Sequence, residues 1–191
     1  MSSDPPWKTV LIEEQALLRN LITKSLRLDD RFELLAEVED GAEGRILCLR
    51  LVPDLVVMDV QLARMDGIGL ARDLLQSLPK VRLLVLSQLK DAFTLNRLSE
   101  IGVHGFVEKD QSLEILEEAM VEVASGRRYF TATLCRNQER LRSDPRAFSK
   151  ILNAKEQEIL WCVAQGWTSK AIARRLNMSP RSFAARTTGK V

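Results

Sequence analysis

The sequence is poor in the residues that staple or ligate. Among 191 residues there are three cysteines and a single histidine, His104. Cys48, Cys135 and Cys162 are odd in number, widely spaced and in no Cys-x-x-Cys pair. That pattern argues against a disulfide framework or a zinc site and leaves reduced structural thiols. No apolar run approaches the roughly 18 residues of a membrane span. The opening residues lack the basic-then-apolar layout of a signal peptide. A cytoplasmic protein with no membrane partner is expected. Internal repeats and low-complexity tracts are also missing.

What is present is an ordinary soluble composition, 46% hydrophobic and 28% charged. The length suits one medium domain or two small ones. A net charge of +2 conceals an uneven distribution. Residues 149–191 carry eight Lys/Arg against Glu156 and Glu158, a net of +6. Residues 127–148 carry six Arg against Glu139 and Asp144, a net of +4, which leaves −8 for residues 1–126. An acidic front and a basic back suggest two modules with different partners. The basic one is suited to a phosphate backbone.

Residues 8–126 alternate between short apolar runs and helical periodicity five times. The runs lie at 8–12, 32–38, 55–58, 81–86 and 105–107. The helical stretches lie at 16–26, 41–51, 68–78, 92–101 and 112–125. Near-continuous apolar strands alternating with helices predict an α/β fold, a five-stranded parallel doubly wound sheet. In such sheets the chemistry gathers beyond the carboxyl ends of the strands. Glu13, Glu14, Asp59, Ser87 and Lys109 all stand at such ends, so distant positions are expected to converge on one rim. Crowded carboxylates repel and call for a cation between them. Mg²⁺, a hard ion with oxygen ligands, is the expected cofactor. A carboxylate nucleophile, a metal, a lysine and a hydroxyl suit phosphoryl transfer. Asp59 is the expected nucleophile because it ends the central strand. His104 falls in the turn before the last strand and reads as structural.

These residues resemble the response-regulator receiver domain, particularly the NarL/FixJ subfamily. The resemblance rests on five motifs in order. Val10-Leu11-Ile12-Glu13-Glu14 carries the acidic pair, and residues 54–59, Asp-Leu-Val-Val-Met-Asp, form the acceptor strand. Met65-Asp66-Gly67 forms the following loop, and Val85-Leu86-Ser87 carries a switch hydroxyl. Residues 102–110 carry Phe106 and Lys109. The resemblance implies a flavodoxin-like receiver phosphorylated on Asp59 by a sensor histidine kinase. It implies Mg²⁺ held by Glu13, Glu14, Asp59 and the backbone of Gln61. Lys109 would contact the phosphoryl group, with Ser87 and Phe106 as the switch pair. Three positions depart from the family pattern. Glu14 stands where aspartate is usual, Leu62-Ala63 stands for Met-Pro, and Gln15 replaces the usual histidine or polar residue. A haloacid-dehalogenase-type phosphatase would need a second aspartate two residues after the first, and position 61 is Gln.

Residues 127–150 read as an Arg-rich linker. From Leu152 only helical periodicity remains, with helices expected at 152–164, 169–176 and from Pro180 onward. Gly166 is placed at a C-cap, Thr168 at one N-cap and Ser179 at another. Residues 152–160 and 164–181 resemble the LuxR-type helix-turn-helix DNA-binding domain. That resemblance implies double-stranded DNA as a partner, met by Lys170, Arg174, Arg175, Arg181, Arg186 and Lys190. Ile159, Leu160, Val163, Ile172, Ala173, Leu176 and Met178 are expected in its core. The family's fourth helix, commonly a dimerisation element, has no counterpart in this sequence, so weak DNA binding is expected of the chain as it stands. A homodimer is the further expected partner. The domain reading is a receiver at 1–126, a linker at 127–150 and a helix-turn-helix domain at 151–191. The expected function is a phosphorylation-controlled transcription regulator, not an enzyme. The alternative is a phosphorylation-independent receiver that acts as a protein-interaction adaptor.

Overall fold

The computed structural model describes residues 5–63, 65–88 and 92–131, and in the C-terminal part 156, 159–160, 162–163, 167–176 and 178. The chain divides into two compact units, residues 1–137 and 138–191.

In the first unit, strands β1 (Trp7–Ile12), β2 (Phe32–Val38) and β3 (Leu55–Asp59) alternate with helices α1 (Ala16–Leu28) and α2 (Gly41–Leu51). Two very short strands follow, β4 (Gln61–Leu62) and β5 (Met65–Asp66), and then α3 (Gly67–Ser77). The unit continues with β6 (Arg82–Ser87), α4 (Ala92–Ile101), β7 (Gly105–Glu108), α5 (Leu113–Ala124) and β8 (Tyr129–Phe130). Each expected strand and helix of residues 8–126 is found within a residue or two of its predicted ends.

The main sheet has the order β2-β1-β3-β6-β7-β8, and every neighbouring pair is parallel. It has six strands where five were expected. Tyr129 and Phe130, read from sequence as the start of a linker, pair with Gly105 and Phe106 at the sheet edge. β4 and β5 form a separate antiparallel pair with Leu62 opposite Met65.

Both sheet faces are covered. Val10, Ile12, Val56, Met58 and Val85 point toward α2, α3 and α4, where they meet Cys48, Leu70, Leu74 and Leu98. Leu11, Leu55, Val57 and Leu84 point the other way, toward Ile22 and Leu26 of α1 and Met120 and Val123 of α5. The alternation is the period-2 geometry of a strand. β3 is buried along its whole length, so its apolar residues each contribute about 1.5–3 kcal/mol relative to exposure. α2 starts on Asp40, whose carboxylate accepts from the Ala42 and Glu43 amides at 2.8 and 3.1 Å. It ends at Val52, which takes a left-handed φ of 48° just before Pro53.

In the second unit, α6 (Ser169–Arg175) starts on Thr168, whose hydroxyl accepts from the Ala171 amide at 3.3 Å. This is the predicted cap. Ile159, Cys162, Ile172 and Ala173 form a small core with Leu176 and Met178 against it. Leu160 and Val163, expected in that core, are 44% and 51% exposed. The inward face of their helix passes through Ile159 and Cys162, one position out of phase with the expectation. No helix among the described residues is long and apolar enough to cross a membrane.

Candidate functional site

β1 and β3 are neighbours, but the chain leaves β1 for β2 on one side and returns to β3 on the other. A crevice opens at the carboxyl ends of the strands at such a reversal. Glu13 follows β1 directly, Asp59 ends β3, Ser87 ends β6, and Lys109 follows β7. Four sequence-distant residues therefore share one rim.

The geometry is tight. The Lys109 ammonium donates to Asp59 Oδ2 at 2.7 Å and to Glu13 Oε1 at 2.8 Å. These side chains are 2–3% exposed for Asp59 and Lys109 and 0% for Glu13. Asp59 Oδ1 accepts the Gln61 amide at 2.7 Å, and Glu13 Oε1 also accepts the Gln15 amide at 2.8 Å. Glu13 Oε2 is buried and has no hydrogen-bond partner among the described residues. Burial pushes the Glu13 carboxyl above its ordinary value; the Lys109 and Gln15 hydrogen bonds oppose this, and the Asp59 charge adds to it. One cation is thus shared by two buried carboxylates. An oxygen left over is what a hard divalent ion would satisfy.

Glu14 does not join them. It is exposed, and its Oε2 accepts the Ala63 amide at 2.7 Å. No cluster of three or more metal-capable side chains gathers among the described residues. Gln61 reaches both ways, with its amide on Asp59 and its Oε1 accepting the Gln88 amide at 3.1 Å. This joins the loop after β3 to the loop after β6. Ser87 and Phe106 are buried, at 0% and 1% exposure. They lie on adjacent strands, with Ser87 opposite Glu108 and Phe106 opposite Val85.

Residues that the sequence reading passed over support this rim. Arg19 donates to the Glu13 and Glu14 carbonyls at 2.7 and 3.1 Å and fixes the turn after β1. Its signal was faint: a lone arginine six residues after Glu13 on an otherwise apolar helix start. Gly67 was noted only as part of a motif. A Cβ there would lie 2.4 Å from the Val60 carbonyl oxygen, so the loop after Asp59 requires glycine. Glu108 is buried at 3% because strand alternation puts it on the Phe106 face. His104, as expected, lies away from the rim. Its Nδ1 accepts the Leu83 amide at 3.2 Å.

In the second unit, Lys170 and Arg174 are exposed on α6. The side chain of Arg175, and Arg181, Arg186 and Lys190 altogether, lie outside the described residues, as do Cys135 and the helix expected from Pro180.

Residues 9–121 match the response regulator receiver domain family. The chain belongs to that family. It is 30% identical to the virulence-factor transcription regulator BvgA of Bordetella pertussis, over 92% of this chain and 84% of that protein. It is 27% identical to the nitrate/nitrite response regulator NarP of Escherichia coli, over 95% of this chain and 86% of that one. These relatives are transcription regulators rather than enzymes. The receiver fold recurs in RcsB of Salmonella enterica serovar Typhimurium, solved on the rprA promoter with the phosphomimetic BeF3−. That match has a TM-score of 0.76 at 20% identity, over 95% of this chain and 88% of that chain. The response regulator ChrA of a heme-sensing two-component system aligns at 0.59 and 26% identity, over 96% of this chain and 88% of that chain. Receiver domains as a class hold Mg²⁺ at the phosphorylation site.

Proposed function

We propose that this receiver accepts a phosphoryl group on Asp59 and passes the change to a DNA-binding C-terminal module. The observation that carries the reading is the buried Glu13–Lys109–Asp59 cluster at the carboxyl ends of the strands. An Asp59 carboxylate oxygen attacks the phosphorus of a sensor kinase phosphohistidine. The P–O bond forms as the P–N bond breaks, and the released imidazole takes up a proton. Lys109, already on Asp59, is in place to neutralise the phosphoryl oxygens. The Gln61 amide orients Asp59. Glu13, Glu14, Asp59 and the Gln61 carbonyl would hold Mg²⁺, which stabilises charge on the transferring group when bound. Ser87 turns toward the new phosphate and Phe106, already buried on the adjacent strand, repacks with it, a local charge event that biases a packed face.

The domain division behind this is a receiver at 1–126 extended by the β8 edge strand, a linker to about residue 150, and a helix-turn-helix domain at 151–191. Lys170, Arg174 and Arg175 meet the DNA backbone, and Arg181, Arg186 and Lys190 lie on the recognition helix. RcsB, solved on promoter DNA and as dimers on DNA, supports duplex DNA as the target and a homodimer as the binding form. Fluorescence anisotropy of a labelled duplex tests the whole scheme. Binding that weakens with salt and tightens with Mg²⁺ plus a small phosphodonor, but not in Asp59→Asn, supports it. Salt-independent binding, or none, favours the adaptor reading instead.

A further inference from the structure

The least expected contact at the rim is the bond from the Ala63 amide to Glu14 Oε2, across 49 residues of sequence. Ala63 lies in the two-residue turn between β4 and β5, where Leu62 faces Met65. Glu14 is held at its root, because Arg19 grips the carbonyls of both Glu13 and Glu14. Its side chain therefore has a fixed origin and a choice of two directions: inward to Asp59 and Glu13, or outward to the turn. The structure has it outward.

Charge explains that choice. Glu13 and Asp59 already share the Lys109 ammonium. A third carboxylate beside them adds repulsion, and among the described residues Lys109 is the one cation paired with them. The Ala63 amide offers a donor away from that charge. A divalent ion held by Glu13 and Asp59 would reverse the balance and favour Glu14 turned inward. We propose that the Ala63 amide is a latch that holds Glu14 outside the metal site, so that Mg²⁺ affinity is set by a competition between this turn and the ion. The proposal rests on the reading of the rim as a Mg²⁺ site. The latch lowers apparent affinity by the share of molecules that hold Glu14 outward. It also links residues 14 and 63 chemically. Only a residue with an amide hydrogen can serve at 63, and proline has none.

Ala63→Pro removes the donor. Val52 is the only non-glycine residue with positive φ among the described residues, so Ala63 is outside the left-handed region. Leu62 is in a strand, which suits the residue before proline. The test is calorimetric titration of Mg²⁺ into the full chain without phosphodonor. The variants are wild type, Ala63→Pro, Glu14→Gln and the double. Ala63→Pro is expected to bind Mg²⁺ about fivefold more tightly, the scale of one ordinary hydrogen bond in water. Glu14→Gln is expected to weaken binding, and Ala63→Pro to add nothing in that background. An unchanged affinity in Ala63→Pro, or the same tightening with and without Glu14, overturns the latch and leaves the metal site standing. No Mg²⁺ binding by any of the four overturns the metal reading and the latch together. A second readout needs no variant. In ¹⁵N-labelled wild type the Ala63 amide resonance is expected to shift, and its hydrogen exchange to quicken, on Mg²⁺ addition. An Ala63 amide unmoved and equally protected at saturating Mg²⁺ overturns the latch.

Discussion

The two ends of the receiver sheet use their polar side chains differently. At the amino ends, side chains serve the backbone. Asp54 accepts the Lys8 amide at 2.9 Å, and His104 accepts the Leu83 amide at 3.2 Å. Each charge or ring is matched to a main-chain donor. At the carboxyl ends side chains also accept main-chain amides, but there they meet one another as well: two carboxylates divide one ammonium, and one buried oxygen of Glu13 is left over. One end is arranged for stability. The other keeps a charge imbalance that a metal and a phosphoryl group can change. Fold and function are separated along the same strands.

The most forceful way to break this contrast is to remove its only shared cation. Lys109→Ala leaves Glu13 and Asp59 buried without it, and loss of one partner from a buried ion pair costs about 3–5 kcal/mol. Urea unfolding checks this, and millimolar Mg²⁺ is expected to restore part of the loss. Gly67→Ala comes next. Its Cβ meets backbone rather than a flexible side chain, so a cost of about 1–3 kcal/mol is expected, together with a displaced Asp59 loop visible as lower phosphorylation.

The two ends also separate by pH. The Glu13 carboxyl is raised above its ordinary 4.5 by burial. A raised folded-state value means the contribution is full below 4.5 and is lost as pH climbs through the folded value. Glu13→Gln is expected to flatten the stability profile in that window, above pH 4.5, as read by unfolding at successive pH values. His104 behaves in the opposite sense. Burial, then the Arg82 and Arg128 charges, lower its value below 6.5. The unfolded chain therefore takes up the proton first, and stability falls as pH drops below 6.5. His104→Gln is expected to remove that slope and to cost about 1 kcal/mol at neutral pH through the weakened bond to Leu83.

Most of the fold was legible because the inner parallel strands β1, β3 and β6 are buried and read as near-continuous apolar runs, each followed or ended by a polar residue. Asp59, Glu13 and Lys109 were legible for the same reason: strand ends in such a sheet converge. β8 was not legible, since two aromatic residues behind Arg127-Arg128 carry no alternation to mark a strand. β4 and β5 are too short for any period at all. Leu160 and Val163 were assigned to the core because a helical stripe read without its partner helix has an uncertain phase. Cys162 resolves it. Glu14 was read as a metal-holding partner of Glu13 and Asp59, and its carboxylate here accepts the Ala63 amide instead. No local pattern reveals a bond to an amide 49 residues away.

The central claim is that the carboxyl-end cluster makes Asp59 a phosphoryl acceptor. Its most direct test is the intact mass of the chain after incubation with Mg²⁺ and a small phosphodonor, beside Asp59→Asn. One phosphoryl adduct is expected on the wild type and none on the variant. An adduct that persists in Asp59→Asn, or a folded wild type that takes none, would contradict it.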